Sequence, residues 1–204
     1  MSARSLLAIL LILAACNHTE TYIRLPFLGN HELSAEGDTL YYRIPAFEFT
    51  DQLGRITTQQ TLAGQVYVAD FFFTSCPTIC PVMKRNMLLI YEEFKNTSGV
   101  LFVSHSIDPI HDSVPVLYDY AEKLGVNHDK WLFLTGDKSI MHRQAQAYMS
   151  SAAEDERAPG GYIHSGAFVL IDKRGHIRAA YDGTQAEEMA QLKREIKWLL
   201  QEDL

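Results

Sequence analysis

Two cysteines, Cys76 and Cys80, stand four residues apart on the chain, with Pro81 directly after them and an apolar run, 66–73, just before. A continuous apolar run of that length reads as a buried strand, and a proline suits the first turn of a helix. The pattern therefore delivers both thiols to the mouth of a helix. Free backbone N–H groups and the macrodipole at a helix N-terminus favour thiolate over thiol. Thiolate is the form that binds soft metal ions and attacks disulfides. A purely structural disulfide fits poorly, because so small a loop removes little entropy from the unfolded chain. Residues four apart on a helix also place their β-carbons about 5–6 Å apart, whereas a relaxed disulfide needs about 3.5–4.5 Å. If Cys76 sits in the loop ahead of the helix a disulfide can still close, and it would be easily reduced.

The third cysteine, Cys16, ends a leader with Arg4 as a minimal basic region and an apolar stretch at 6–13. Leu13-Ala14-Ala15-Cys16 looks like a bacterial lipobox, which implies cleavage before Cys16 and lipid on its thiol. The apolar stretch is shorter than the roughly 20 residues of a spanning helix. Residues 1–15 are thus expected to be a lipoprotein signal peptide, 16–39 a polar tether, and 40–204 the folded domain. The expected location is extracytoplasmic, anchored by lipid to a bacterial membrane, with the periplasmic side favoured. In such an oxidising compartment Cys76 and Cys80 are the only unmodified pair. With 204 residues, 47% of them hydrophobic, the chain can build one ordinary core. A net charge of −7 argues against a nucleic-acid partner.

The elements that must position the thiols follow from periodicity and turn residues. Residues 41–49 alternate as a strand, and Asp51-Gln52-Leu53-Gly54 reads as a hairpin turn before a second strand at 55–58. After the 66–73 strand, the apolar spacing of Met83, Met87, Leu88, Tyr91 and Phe94 predicts a helix to about Lys95. A second buried strand spans 99–106. Ser113 is placed to cap a helix ending near Gly125. A third strand is expected at 131–135 and a third helix at 138–149. Strands at 168–172 and 177–181 form a hairpin around Lys173-Arg174-Gly175-His176, and Thr184-Gln185-Ala186-Glu187 reads as a capping box for the last helix. This order describes an α/β, thioredoxin-like fold with an added N-terminal β-hairpin.

Within that frame the chain resembles the Sco/SenC family, thioredoxin-like copper proteins of cytochrome c oxidase assembly. The likeness rests on the Cys-x-x-x-Cys-Pro loop after Asp70-Phe71-Phe72-Phe73-Thr74 and on Ser106-Ile107-Asp108-Pro109. Leu134-Thr135-Gly136-Asp137 and His164, just ahead of the 167–172 strand, complete it. The resemblance implies that Cys76, Cys80 and His164 bind copper. Two thiolates and an imidazole suit Cu(I) and are serviceable for Cu(II), and three ligands leave a position open for a partner's thiol. Zinc prefers a fourth ligand in a closed structural site. Thioredoxins carry a cis-proline near this histidine, and Ile163-His164 has none.

Several residues remain open at this level. Asp108 and Asp112 follow the second strand in a region that the resemblance places near the metal loop; each reads either as a docking or ligand-supporting group or as part of a solvated loop. His105 reads as a fourth ligand, a donor to the ligands, or a core histidine bonded to backbone. Met83 and Met87 fit an apolar helix stripe better than a copper site. Glu154-Asp155-Glu156 reads as a solvated insert. The expected function is a metallochaperone that helps assemble the dinuclear copper site of cytochrome c oxidase subunit II. Another copper chaperone or a thioredoxin-like reductant would be a further partner. The alternative is a thiol–disulfide oxidoreductase, with Cys76 and Cys80 as its catalytic thiols, keeping the oxidase's copper-ligand cysteines reduced. A redox-sensing module is a third option.

Overall fold

The computed structural model describes residues 22–202; the leader and Cys16 lie outside them. From the N-terminal side, two short antiparallel ladders come first: β1 (Glu32–Leu33) with β2 (Thr39–Leu40), and β3 (Glu48–Thr50) with β4 (Ile56–Thr58). A single turn, α1 (Gln59–Leu62), leads into β5 (Val66–Phe72), α2 (Cys80–Phe94), β6 (Val100–Ser106), α3 (Val114–Leu124) and β7 (Trp131–Leu134). The chain then runs through α4 (Lys138–Ala147), a hairpin of β8 (Ala152–Glu154) and β9 (Tyr162–His164), a second of β10 (Ala167–Ile171) and β11 (Ile177–Asp182), and α5 (Met189–Gln201).

Five strands form one sheet in the order β11-β10-β5-β6-β7. β5, β6 and β7 are parallel, in a register that pairs Val66 with Val100 and Phe72 with Ser106. β10 runs antiparallel to both β5 and β11. All seven residues of β5 are buried, as a central strand covered on both faces requires. Asp70 faces Lys84 of α2 on one side, while Phe71 stacks on His105 beneath Tyr148 on the other. The architecture is the thioredoxin-like α/β fold with an N-terminal hairpin, β3–β4. Its parallel strands all end at one pole, where β9 and the start of β10 also lie; the β10–β11 turn marks the opposite pole.

The departures from the sequence reading have local causes. The strand expected at 41–49 is confined to Glu48–Thr50. Pro45 offers no N–H, and Ile44 gives its own to the Gly175 carbonyl instead of to a strand partner. The capping box expected at Thr184 does not form. Asp182 captures both the backbone N–H and the hydroxyl of Thr184, and a 3-10 turn at Ala186–Glu188 opens α5. A true capping box occurs at Thr58, on α1. Ser113 takes the N-cap backbone geometry of α3 without a side-chain bond, while Gly125 ends that helix at φ 68°. α4 stops two residues early, before Met149, the one non-glycine residue at positive φ (55°) among the described residues. Glu154 belongs to a strand rather than to a free loop, since the insert folds back as β8–β9.

Candidate metal centre

The loop between β5 and α2 is held at its first residue. Thr74 donates its backbone N–H to Asp112 (3.1 Å to Oδ2), and its hydroxyl reaches the same carboxylate. Ser106, the last residue of β6, donates to that carboxylate at 2.6 Å, and His111 faces its other oxygen at 3.0 Å. A fully buried Asp112 therefore ties the ends of two adjacent parallel strands to the cysteine loop. It is neither solvated nor a simple cap, which corrects the solvated-loop reading. The chain then turns, with Cys76 N–H donating to the Phe73 carbonyl, and Cys80 becomes the first residue of α2. Pro81 lies in the first turn, where its missing N–H costs nothing.

His164 arrives from the opposite side as the last residue of β9. Its Nδ1–H donates to the Ser165 carbonyl at 3.0 Å, which leaves Nε2 as the free lone pair. Nε2 lies 3.3 Å from Cys80 Sγ. The ligand atoms of Cys76, Cys80 and His164 all fall within 4.8 Å of one another, and all three residues are buried. Both thiols are free. The set brings two sulfurs and one oriented imidazole nitrogen to a common point, which fits a soft monovalent ion better than a hard one.

The two thiols are electrostatically unequal. Burial acts to raise Cys76, but the backbone N–H groups of Thr78 and Cys80 outweigh it and leave its pKa below the ordinary thiol value. Cys80 is pushed well above that value, chiefly by burial. The dipole argument from sequence therefore holds for the loop cysteine and is overridden by desolvation at the helical one. Burial also lowers His164, keeping its imidazole neutral and available as a ligand. Phe73 presents its edge to the histidine and packs on Tyr162, whose hydroxyl donates to Asp108 at 3.0 Å. Asp108 thus anchors β9 through Tyr162.

His105 is placed elsewhere. Its fully buried ring stacks on Phe71 at 4.8 Å, with Phe49 and Tyr148 around it. Neither ring nitrogen makes a well-formed hydrogen bond, although the Asp70 backbone lies beside it. Met83 and Met87 are core, as their spacing predicts. One group escaped the sequence reading: Lys84, on α2, is buried, donates to Asp70 and Ser104 at 2.7 Å each, and sits over the Phe72 ring. The signal was available, because an aspartate inside a fully buried strand demands a cationic or donor partner.

Comparison with known proteins agrees with this geometry. The SCO1/SenC family model matches residues 38–201. The SCO1 protein homolog of Bacillus subtilis (strain 168) is 31% identical over 150 residues, covering 72% of this chain and 78% of that protein. The crystal structure of a SCO1/SenC family lipoprotein from Bacillus anthracis superposes with a TM-score of 0.72 at 32% identity, over 78% of this chain and 95% of the other. BsSco, described as a Sco-family cytochrome c oxidase assembly protein with a disulfide switch, gives a TM-score of 0.69 at 28% identity, over 79% and 95% of the two chains. The chain belongs to the SCO1/SenC family.

Proposed function

We propose that this chain is an extracytoplasmic copper metallochaperone, anchored by lipid at Cys16. It would carry copper on Cys76, Cys80 and His164 and deliver it to the dinuclear copper site of cytochrome c oxidase subunit II. The observation that carries the reading is the convergence of the three ligand atoms with His164 Nε2 unprotonated and turned towards a thiol. Copper is cargo here. Binding needs both thiols deprotonated, so their protons leave as the metal enters. Cys76, already biased towards thiolate, engages first; Cys80, whose thiolate is costly in its buried setting, gives up its proton only against the metal. Delivery is ligand exchange, in which partner thiolates enter through the open position and displace the two sulfurs in turn. The partnership with an oxidase is supported by the description of BsSco as an oxidase assembly protein.

A second reading is favoured by the inequality of the thiols. A more acidic Cys76 beside a buried, high-pKa Cys80 is the pairing of an attacking and a resolving cysteine. Oxidation of the pair to a disulfide releases two protons and two electrons to a partner disulfide; reduction by a thioredoxin-like protein reverses it. His164 separates the readings, since copper transport needs it as a ligand and thiol exchange does not.

The test is an anaerobic Cu(I) titration of the reduced chain against a chromophoric chelator, with His164→Ala and the double change Cys76→Ser/Cys80→Ser. One tightly held copper per chain is expected, weakened by the histidine change and lost with both thiols. Binding indifferent to His164→Ala would sink the chaperone reading and leave thiol exchange as the leading account.

A further inference from the structure

We infer that the pole opposite the metal centre is a membrane-contacting face, built from residues 22–43, which keeps the thiols pointed away from the bilayer. The inference rests on the lipid-anchor part of the proposed function and not on its copper chemistry. Residues 25–44 dock around the β10–β11 turn: Leu28 N–H donates to the Ile177 carbonyl, Ile44 N–H to that of Gly175, and His176 Nδ1 to that of Tyr42. Arg178 bonds the Leu25 and Pro26 carbonyls at 2.6 and 3.0 Å, fixing the segment where it enters the fold. The cysteine loop and His164 stand at the far ends of the same strands, and a strand of seven residues is about 23 Å long.

This pole carries an unusual share of exposed apolar surface. Thirteen large hydrophobic side chains are exposed among the described residues, and five of them, Tyr22, Ile23, Leu33, Leu40 and Tyr41, fall within residues 22–41. Because Glu32 pairs with Leu40 and Leu33 with Thr39, Leu33 and Leu40 project from opposite sides of the β1–β2 ribbon, so the ribbon offers apolar groups on both sides rather than one flat apolar face. Arg24 lies among these side chains and Arg43 just after, both exposed. Tyrosines with aliphatic neighbours and nearby arginines suit the headgroup–acyl boundary, where rings lie at the interface and guanidinium groups reach outward. The exposed acids of the same segment, Glu32, Glu36 and Asp38, place the attraction in apolar burial rather than in net positive charge. Tether length selects the bilayer as occupant. Only six residues lead from Cys16 to Tyr22, a reach of at most about 20 Å.

The test uses the full chain, processed in a bacterial host and reconstituted into vesicles of phosphatidylethanolamine and phosphatidylglycerol with brominated acyl chains. Single tryptophans are introduced as Ile23→Trp and Leu40→Trp at this pole. Ile110→Trp, at the exposed loop after β6, reports the metal pole. The expected result is loss of emission for Ile23→Trp and Leu40→Trp beyond that of the unsubstituted chain, and no added loss for Ile110→Trp. An unquenched Leu40→Trp, or a quenched Ile110→Trp, overturns the orientation even when mass spectrometry finds lipid on Cys16. Absence of both that lipid and vesicle flotation overturns the anchor and the face together. Flotation without the lipid supports the face alone. Copper titration of the same vesicles reads the metal centre independently.

Discussion

At Cys76, burial opposes the thiolate and the surrounding N–H groups favour it, and the N–H groups win; at Cys80, burial wins. Iodoacetamide added to the reduced, copper-free chain at pH 7 should therefore label Cys76 before Cys80, read by peptide mass spectrometry. Equal or reversed labelling would contradict the assignment. His105 makes a second prediction. Burial lowers its pKa from an ordinary 6.5 to about 4, so between those values the unfolded chain binds a proton that the folded chain refuses. Stability must then rise with pH across that window and be lost as acid is added, by up to roughly 3 kcal/mol. His105→Phe, shaped to stack on Phe71, should flatten the urea-midpoint profile between pH 4.5 and 7 and leave copper stoichiometry unchanged. An unaltered profile would show the ring to be innocent of the acid sensitivity. The cysteines were readable from spacing because their chemistry is set by the local loop. The tie that Asp112 makes to the cysteine loop was not, because only the folded sheet brings its partners near, and the buried Asp70 signals that a donor must exist without naming Lys84.

At the scale of elements, the centre is a junction between two independently built parts. The cysteines belong to the loop and helix after β5, whereas His164 rides on the β8–β9 hairpin. Gly160, in the tip of that hairpin at φ 84°, lies so close to Phe73 that an added β-carbon would meet the ring at 2.7 Å and Pro77 at 3.3 Å. Gly160→Ala should push the hairpin away, weakening Cu(I) binding roughly tenfold if the displacement costs about 1.4 kcal/mol at the metal. The rate of Cys76 alkylation should stay the same. A parallel loss of thiol reactivity would mean that the cysteine loop had moved instead. The hairpin also marks the limit of what the sequence discloses about elements. β5, α2, β6 and α3 announce themselves by long apolar patterns and by the Gly125 stop. β8 and β9 are three residues each, too short for periodicity, and exist because Tyr162 and Gly160 find Asp108 and Phe73 across the loop.

Across the whole molecule, one buried arginine decides how the N-terminal segment is attached. Arg178, on β11, bridges the carbonyls of Leu25 and Pro26, the Asp172 carboxylate (3.0 Å) and Glu202 (2.6 Å), and lies over the Phe27 ring. Its five donors in a fixed fork satisfy groups from both ends of the domain at once, which a lysine cannot do. Arg178→Met should leave the Asp172 and Glu202 carboxylates without their cation and two carbonyls without a donor in a largely dry setting, at a cost of about 3–5 kcal/mol. The loss should be uneven in space. The metal pole is organised by Asp112, Tyr162 and the cysteine loop, none of which touches Arg178, so copper stoichiometry should survive in the folded fraction. Hydrogen exchange should then accelerate at the Leu28 and Ile44 amides, which bond to the β10–β11 turn, while β5 and β6 amides keep their protection. Uniform acceleration across the sheet would instead make Arg178 a support of the whole fold and remove the separation between an anchoring pole and a metal-binding one.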